Sequence, residues 1–201
     1  VQLQLHPLVI PERHPTVFPE VIEPDPTVQE MINQVSSTTV YDYNGGLSGE
    51  RQVTIGGAPY TIQTRHTGQA TPIEKATQFT YEHFQSLGLP VSYHYYTHPS
   101  YGQRRNVVAE QTGISQPERI FLITAHLDDM PSGAYAPGAD DNASGSVGVL
   151  IAADIFSQYA FDCTLRYVLF TGEEQGLYGS FYYAQSAYNN GDNIEAVLNL
   201  D

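Results

Sequence analysis

Ile120-Phe-Leu-Ile-Thr-Ala-His-Leu-Asp128 joins an apolar run directly to a polar end. The run Ile120–Thr124 has no charged residue, which is typical of a central strand covered on both faces. Further strand-like runs, with one charged residue each, lie at Leu165–Phe170 and Ile194–Leu200, and a helical pattern over 142–159 lies between the first two strands. Strands that alternate with helices predict an α/β sheet, whose ligand crevice lies beyond the carboxyl ends of its strands.

Polar side chains follow each of these strands at its carboxyl end. His126 and Asp128 follow the first strand, Glu173 and Glu174 the second, and Asp201 the third. Because these ends meet at one edge of the sheet, we expect the side chains to converge. A His-x-Asp, a Glu-Glu step or a terminal Asp is unremarkable alone, so their convergence carries the prediction.

A glycine-rich loop supplies a further carboxylate. It reads Pro137-Gly-Ala-Asp-Asp-Asn-Ala-Ser-Gly145, and Asp141 can project back over the strand ends. One imidazole and several carboxylates form a donor set that Zn²⁺ accepts, with one Glu free to take a proton from a metal-bound water. The lone Cys163 excludes an intrachain disulfide and a cysteine-rich zinc site.

The remaining pattern predicts the other elements. Residues 1–26 contain six prolines and read as an extended arm, which leaves 27–201 as one domain. Thr27 and Glu30 have capping-box spacing and open a helix. The other predicted elements are a hairpin at Gly56-Gly57 between 52–55 and 60–63, a helix from Thr71 to Gly88, strands at 91–96 and 106–110, and a helix over 177–188.

Composition narrows the classes of partner. The 22 acidic and 8 basic residues give a net charge of −14, which argues against nucleic acid and anionic membranes as partners. No run of 18 or more apolar residues occurs, so no membrane-spanning helix is expected. The chain also opens without a basic and apolar leader, so for an exported protein we expect the numbering to start after signal removal.

Four motifs follow one another along the chain: His-x-Asp, Gly-Ala-Asp-Asp-Asn-Ala-Ser-Gly, Glu-Glu and Asn-Leu-Asp. With these motifs in this order, residues 64–201 resemble the secreted di-zinc aminopeptidases of the bacterial leucyl aminopeptidase type. Their superfamily includes glutamate carboxypeptidase II, transferrin receptor and glutaminyl cyclase. The resemblance implies a three-layer αβα fold with a mixed, mostly parallel sheet. It also implies secretion, two Zn²⁺ ions, and a peptide substrate with a free N-terminus.

The resemblance further implies a role for each matched residue. His126 and Asp201 would bind one zinc, Glu174 would bind the other, and Asp141 would bridge both. Glu173 would be the general base that acts on a water between the metals, and Asp128 would orient His126.

One departure from the family pattern concerns the second zinc. The family's second histidine follows the segment that ends here at Asp201, so we expect a fragment or processed form, completed at its C-terminal side by further chain or a partner. We do not expect any upstream histidine to replace it; these are His6, His14, His66, His83, His94 and His98.

Two alternatives stay open at this point. One is a single-zinc relative of glutaminyl cyclase, although Asp140-Asp141-Asn142 looks more like the two-metal peptidases. The other is a non-catalytic binding module like the peptidase-like domain of transferrin receptor. The metal ligands and Glu173 are retained here, which favours an enzyme.

Overall fold

A computed structural model describes residues 23–130 and 136–201. Within them the helices are α1 (Pro26–Asn33), α2 (Ser37–Leu47), α3 (Ala70–Ser86), α4 (Gly145–Phe156) and α5 (Tyr178–Asn190). The strands are β1 (Val53–Ile55), β2 (Ala58–Tyr60), β3 (Val91–His98), β4 (Gly102–Gln111), β5 (Gln116–His126), β6 (Cys163–Phe170) and β7 (Asn193–Leu200). None of these helices has the length and apolar character needed to cross a bilayer.

Five strands form the central sheet in the order β3-β4-β6-β5-β7. β4 runs antiparallel to both of its neighbours, whereas β6, β5 and β7 are parallel to one another. The other four strands therefore share one direction, which confirms the predicted mixed, mostly parallel sheet. The carboxyl ends of β5, β6 and β7 lie at one edge, as the site requires.

Helices cover both faces of this sheet, which confirms the three-layer prediction. On one face α3 and α4 pack against the sheet and α2 packs on α4, with residues such as Leu47, Phe84 and Leu150 fully buried. On the other face Tyr183 and Ala187 of α5 cover Ile120, Leu122 and Val168. Each fully buried aliphatic or aromatic side chain stabilises such a core by about 1.5–3 kcal/mol.

β7 forms one edge of the sheet. It pairs with β5 alone among the described strands, and Val197 and Leu198 are exposed on it. This edge therefore presents unpaired backbone groups and apolar side chains.

The β1–β2 hairpin turns at Gly56 and Gly57, as predicted. Their φ angles of 63° and 76° are the left-handed values that a two-residue hairpin turn requires. The second strand begins at Ala58, two residues before the predicted Tyr60.

Two helix starts differ from the predictions. The cap of α1 is Asp25, whose carboxylate accepts the Thr27 N–H at 2.8 Å, so the prediction of Thr27 as the first cap was wrong. Pro26 sets this start because proline fits the first helical position, where no N–H is needed. Helix α3 begins at Ala70 without a side-chain cap, and its predicted end at Gly88 is confirmed by a φ of 77°.

Helix α2 was not predicted at all. Its sequence contains Thr38, Thr39 and Val40, which are weak helix formers, and ends in Gly45-Gly46. Ser36 caps it, and tertiary contact rather than propensity stabilises it. The predicted proline-rich arm falls mainly on residues 1–22, outside the described residues, so the boundary at residue 27 stays a prediction.

Candidate metal centre

The His126 ring lies at the end of β5 and is 4% exposed. Its Nε2 lies 3.2 Å from Asp141 Oδ1 and 3.5 Å from Asp201 Oδ1. Its Nδ1 lies 3.1 Å from the Asp128 backbone oxygen, a hydrogen bond that requires the proton on Nδ1. The lone pair of Nε2 therefore faces the two carboxylates. Histidines that bind metals are commonly fixed in this way through their second nitrogen.

The amide of Asn142 brings Asp141 and Asp201 together. Its Nδ2 donates to the Leu200 carbonyl at 2.9 Å, and its Oδ1 accepts the Gly145 N–H at 2.8 Å. A side chain at residue 145 would collide with both the Asn142 side chain and the Leu200 carbonyl. The Asp-Asn-Ala-Ser-Gly sequence therefore joins the end of β7 to the start of α4.

Glu173 and Glu174 follow β6 on a tight loop. The loop closes when the Tyr178 N–H donates to the Gly172 carbonyl at 2.9 Å, and Gly172 has a φ of 74°. Glu173 Oε2 lies 4.0 Å from His126 Nδ1. Burial raises the pKa of Glu174, and the nearby carboxylates of Asp141 and Glu173 raise it further. A bound cation would relieve this repulsion.

Asp128 is fully buried and acts on the glutamate loop. One carboxylate oxygen accepts the Glu173 N–H at 3.2 Å, and the other accepts the Thr67 hydroxyl at 3.0 Å. The same carboxylate is 3.8 Å from His126 Nδ1, beyond hydrogen-bonding distance, so the Asp128 backbone makes the contact with the ring. Burial raises the pKa of Asp128 to about 6.

The described residues contain two groups of donors close enough to hold a metal ion. One is His126, Asp141 and Asp201, and the other is His126, Glu173 and Glu174. Within each group the ligand atoms lie within 4.8 Å of one another. An imidazole with two carboxylates is a suitable three-ligand set for a catalytic zinc with one open position. The residues therefore fit zinc on the side of Asp141 and Asp201.

The glutamate side offers carboxylates without a free nitrogen. His126 Nδ1 is engaged by the Asp128 carbonyl, so the ring cannot serve both groups. His66, His83, His94 and His98 belong to neither group, while His6 and His14 lie outside the described residues.

Two residues that sequence reasoning missed lie behind the site, on the segment before α3. Thr67 accepts the Gly172 N–H at 2.9 Å while its hydroxyl donates to Asp128. Arg65 is fully buried and contacts the loop before Asp141. No local sequence signal marks either residue, because an arginine or a threonine in a loop is most often exposed to solvent.

Residues 106–201 match the family model described as Peptidase family M28. A probable zinc metalloprotease of Pyrenophora tritici-repentis is 38% identical over 101 residues, which is 48% of this chain and 21% of that protein. A probable leucine aminopeptidase 2 of Trichophyton verrucosum is 35% identical over 81 residues, covering 40% of this chain and 16% of that protein. The match thus spans about a fifth of the length of these curated relatives.

Solved structures share the fold over most of the chain. LapB from Legionella pneumophila superposes with a TM-score of 0.71 at 21% identity, covering 91% of this chain and 48% of that one. BSAP, a zinc aminopeptidase from Bacillus subtilis, gives 0.68 at 14% identity over 82% of this chain and 68% of that one. A glutaminyl cyclase from Fimbriiglobus ruber gives 0.67 at 17% identity over 84% and 62%.

Proposed function

We propose that this chain carries the zinc centre of an aminopeptidase, which hydrolyses the first peptide bond of peptides with a free N-terminus. One observation carries the proposal: a carboxylate oxygen of Asp141 and one of Asp201 each lie within 3.5 Å of His126 Nε2. All of these residues lie inside the stretch that matches Peptidase family M28. Relatives named as zinc metalloprotease and leucine aminopeptidase support the same class of reaction.

In this proposal each residue has a distinct role. His126 and Asp201 would hold one zinc, Glu174 would hold a second, and Asp141 would serve as a ligand for both. The remaining ligand of the second zinc comes from outside the described residues. Burial raises the pKa of Glu174, and repulsion from the Asp141 and Glu173 carboxylates adds to it, so a cation bound by Glu174 would offset part of this rise.

Glu173 is the proposed general base. When bound, zinc would polarise the scissile carbonyl and lower the pKa of a water molecule. Glu173 would accept the proton of this water and return it to the leaving amine. The Asp128 carboxylate accepts the backbone N–H of Glu173 and so fixes the base in position. The Glu173 side chain is partly exposed and lies beside His126.

Hydrolysis of amino-acid p-nitroanilides, with and without a chelator, tests this proposal. We expect the chelator to abolish release of nitroaniline and added zinc to restore it. His126→Ala should remove zinc and activity because His126 supplies the nitrogen ligand beside Asp141 and Asp201. His94→Gln is the matched control, since His94 belongs to neither. Activity that persists in the chelator would refute the metal mechanism.

The fold leaves the cyclase alternative open, because a glutaminyl cyclase and BSAP superpose on this chain equally closely. Metal content distinguishes the two functions. Two zinc ions per site and p-nitroanilide hydrolysis support the aminopeptidase. One tightly held zinc, together with cyclisation of an N-terminal glutamine, would favour the cyclase.

A further inference from the structure

The Arg65 guanidinium is fully buried and donates to four backbone carbonyls. Nε donates to Leu127 at 2.6 Å, and Nη1 donates to Leu47 at 2.6 Å and to Pro137 at 3.0 Å. Nη2 donates to Gly138 at 2.8 Å. One side chain thus joins the end of α2, the end of β5 and the loop before Asp141.

These carbonyls flank the metal ligands on both sides. Leu127 directly follows His126, and Gly138 begins the turn Ala139–Ser144 that carries Asp141. The Gly138 carbonyl also accepts the Ala143 N–H at 2.9 Å, which closes this turn. A Cβ at residue 138 would lie 2.7 Å from Arg65 Nη2, so the loop packs directly on the guanidinium.

Asp129 fixes the position of Arg65. Its carboxylate lies 3.6 Å from Nη1 and accepts the Arg65 backbone N–H at 2.9 Å and the Thr64 hydroxyl at 3.3 Å. Both side chains are almost fully buried. A lysine would keep the charge but would lose the planar fork that reaches several carbonyls at once. The loop position therefore depends on arginine geometry as well as on charge.

We propose that Arg65 is a positioning residue that sets the affinity of the site for zinc, by holding the loop of Asp141 against the strand end of His126. This inference rests on the proposed zinc centre. Arg65 lies outside the matched residues 106–201, on a segment that crosses behind the site. Its guanidinium hydrogen-bonds to main-chain carbonyls beside the proposed ligands and to none of the ligand side chains.

The test compares Arg65→Lys with Arg166→Lys. Arg166 is a half-buried arginine on β6 that binds Glu110, Asp192 and Tyr183 and takes no part in the site. Zinc affinity is measured by competition with a chromophoric chelator, and stability by thermal unfolding of the metal-free protein. We expect both variants to lose stability. Only Arg65→Lys should weaken zinc binding, by about 10–100-fold, the usual effect of removing support for a metal ligand.

Gly138→Ala keeps the inference testable should Arg65→Lys fail to fold. The added methyl group would lie 2.7 Å from the guanidinium, from Asp129 Cβ and from the Asp141 carbonyl oxygen, so it separates the loop from Arg65 and zinc binding should weaken in the same direction. Zinc affinity equal to wild type in a folded Arg65→Lys protein, or in Gly138→Ala, would overturn the proposed role of Arg65 but not the zinc centre. Wild-type protein that binds zinc no better than His126→Ala would overturn the zinc centre itself, and this inference with it.

Discussion

The two sides of the candidate site are built differently. On the aspartate side, formed by Asp141 and Asp201, 74% of the Asp141 side chain is exposed. The glutamate side, Glu173 and Glu174, is half-buried, with Glu173 at 30%. Exposed carboxylates have little packing to fix them, so the aspartate side depends on how its backbone is held.

The groups that hold each side also differ in kind. On the aspartate side, Arg65 and Asn142 donate to backbone carbonyls next to the ligands. On the glutamate side, the buried Asp128 and Thr67 accept the backbone N–H groups of Glu173 and Gly172. We therefore expect metal affinity and turnover to be separable, because Arg65 and Asn142 hold the backbone beside the ligands His126, Asp141 and Asp201, whereas Asp128 and Thr67 hold the backbone at Glu173, the proposed base.

Glu173→Gln should have the largest effect on turnover. Glutamine keeps the size of the side chain but cannot accept a proton as a carboxylate does, so kcat should fall by about 10²–10⁴-fold. Zinc content should be unchanged, since the base is not a ligand in the proposed roles. The measurement is p-nitroanilide hydrolysis beside metal analysis of the same sample.

Glu174→Gln is the matched control for this prediction. It removes a proposed ligand from the neighbouring position, so zinc should be lost together with activity. Loss of zinc in Glu173→Gln and its retention in Glu174→Gln would show that the two roles are exchanged.

Thr67→Val should have an intermediate effect, confined to the glutamate side. Valine keeps the shape of threonine but removes the hydroxyl that donates to Asp128 and accepts from Gly172. The buried groups left without partners should lower the free energy of unfolding by about 1–3 kcal/mol. We expect kcat to fall about 10-fold with zinc affinity unchanged, the reverse of the pattern expected for Arg65→Lys.

Thr80→Val provides the control for stability. Thr80 is also fully buried, and its hydroxyl donates only to backbone carbonyls within α3, away from the site. It should lose stability without any change in kcat or zinc affinity. A Thr67→Val protein that loses zinc affinity as Arg65→Lys does would contradict the separation of the two sides.

The ligand positions could be predicted from sequence because each follows a strong local pattern. A buried strand next to His126, or next to Glu173, is recognisable within about ten residues of chain. Parallel strand topology then places those ends at one edge without further information. Asp141 was predicted in the same way, from the glycine-rich loop between a strand and a helix.

The residues that hold the site could not be predicted, because their partners are distant in sequence. Arg65 contacts Pro137 and Gly138, more than 70 residues away, and Thr67 contacts Gly172, 105 residues away. Neither lies in a regular element with a periodic pattern. Helix α2 was missed for a related reason, since its Asn44 and Leu47 carbonyl are held by contacts with the loop and with Arg65.

A buried imidazole beneath the glutamate side gives the smallest predicted effect. His98 packs between the rings of Tyr101 and Tyr178 at 4.4 and 4.3 Å, and its Nδ1 accepts the Ser100 N–H at 3.1 Å. Burial lowers the pKa of His98 below its ordinary value of 6.5, and the positive charge of Arg104 lowers it further. Tyr178 also donates the N–H that closes the glutamate loop.

Because the folded pKa of His98 lies below the unfolded value, its contribution to stability is complete above pH 6.5 and is lost as the pH falls towards the folded pKa. Protonation also removes the acceptor of the Ser100 N–H. His98→Gln keeps an acceptor without a titrating group, so it should lose less unfolding free energy than wild type between about pH 7.5 and about pH 5.

His94→Gln separates a local effect of His98 from a global one. Burial also lowers the pKa of His94, so this variant should share the gain in acid stability. Only His98→Gln should slow the acid-induced hydrogen exchange of the Tyr178 amide, since His98 packs on that ring. Equal protection of this amide in both variants would mean that acid weakens the whole fold. Protonation of His98 would then have no local effect on the glutamate loop.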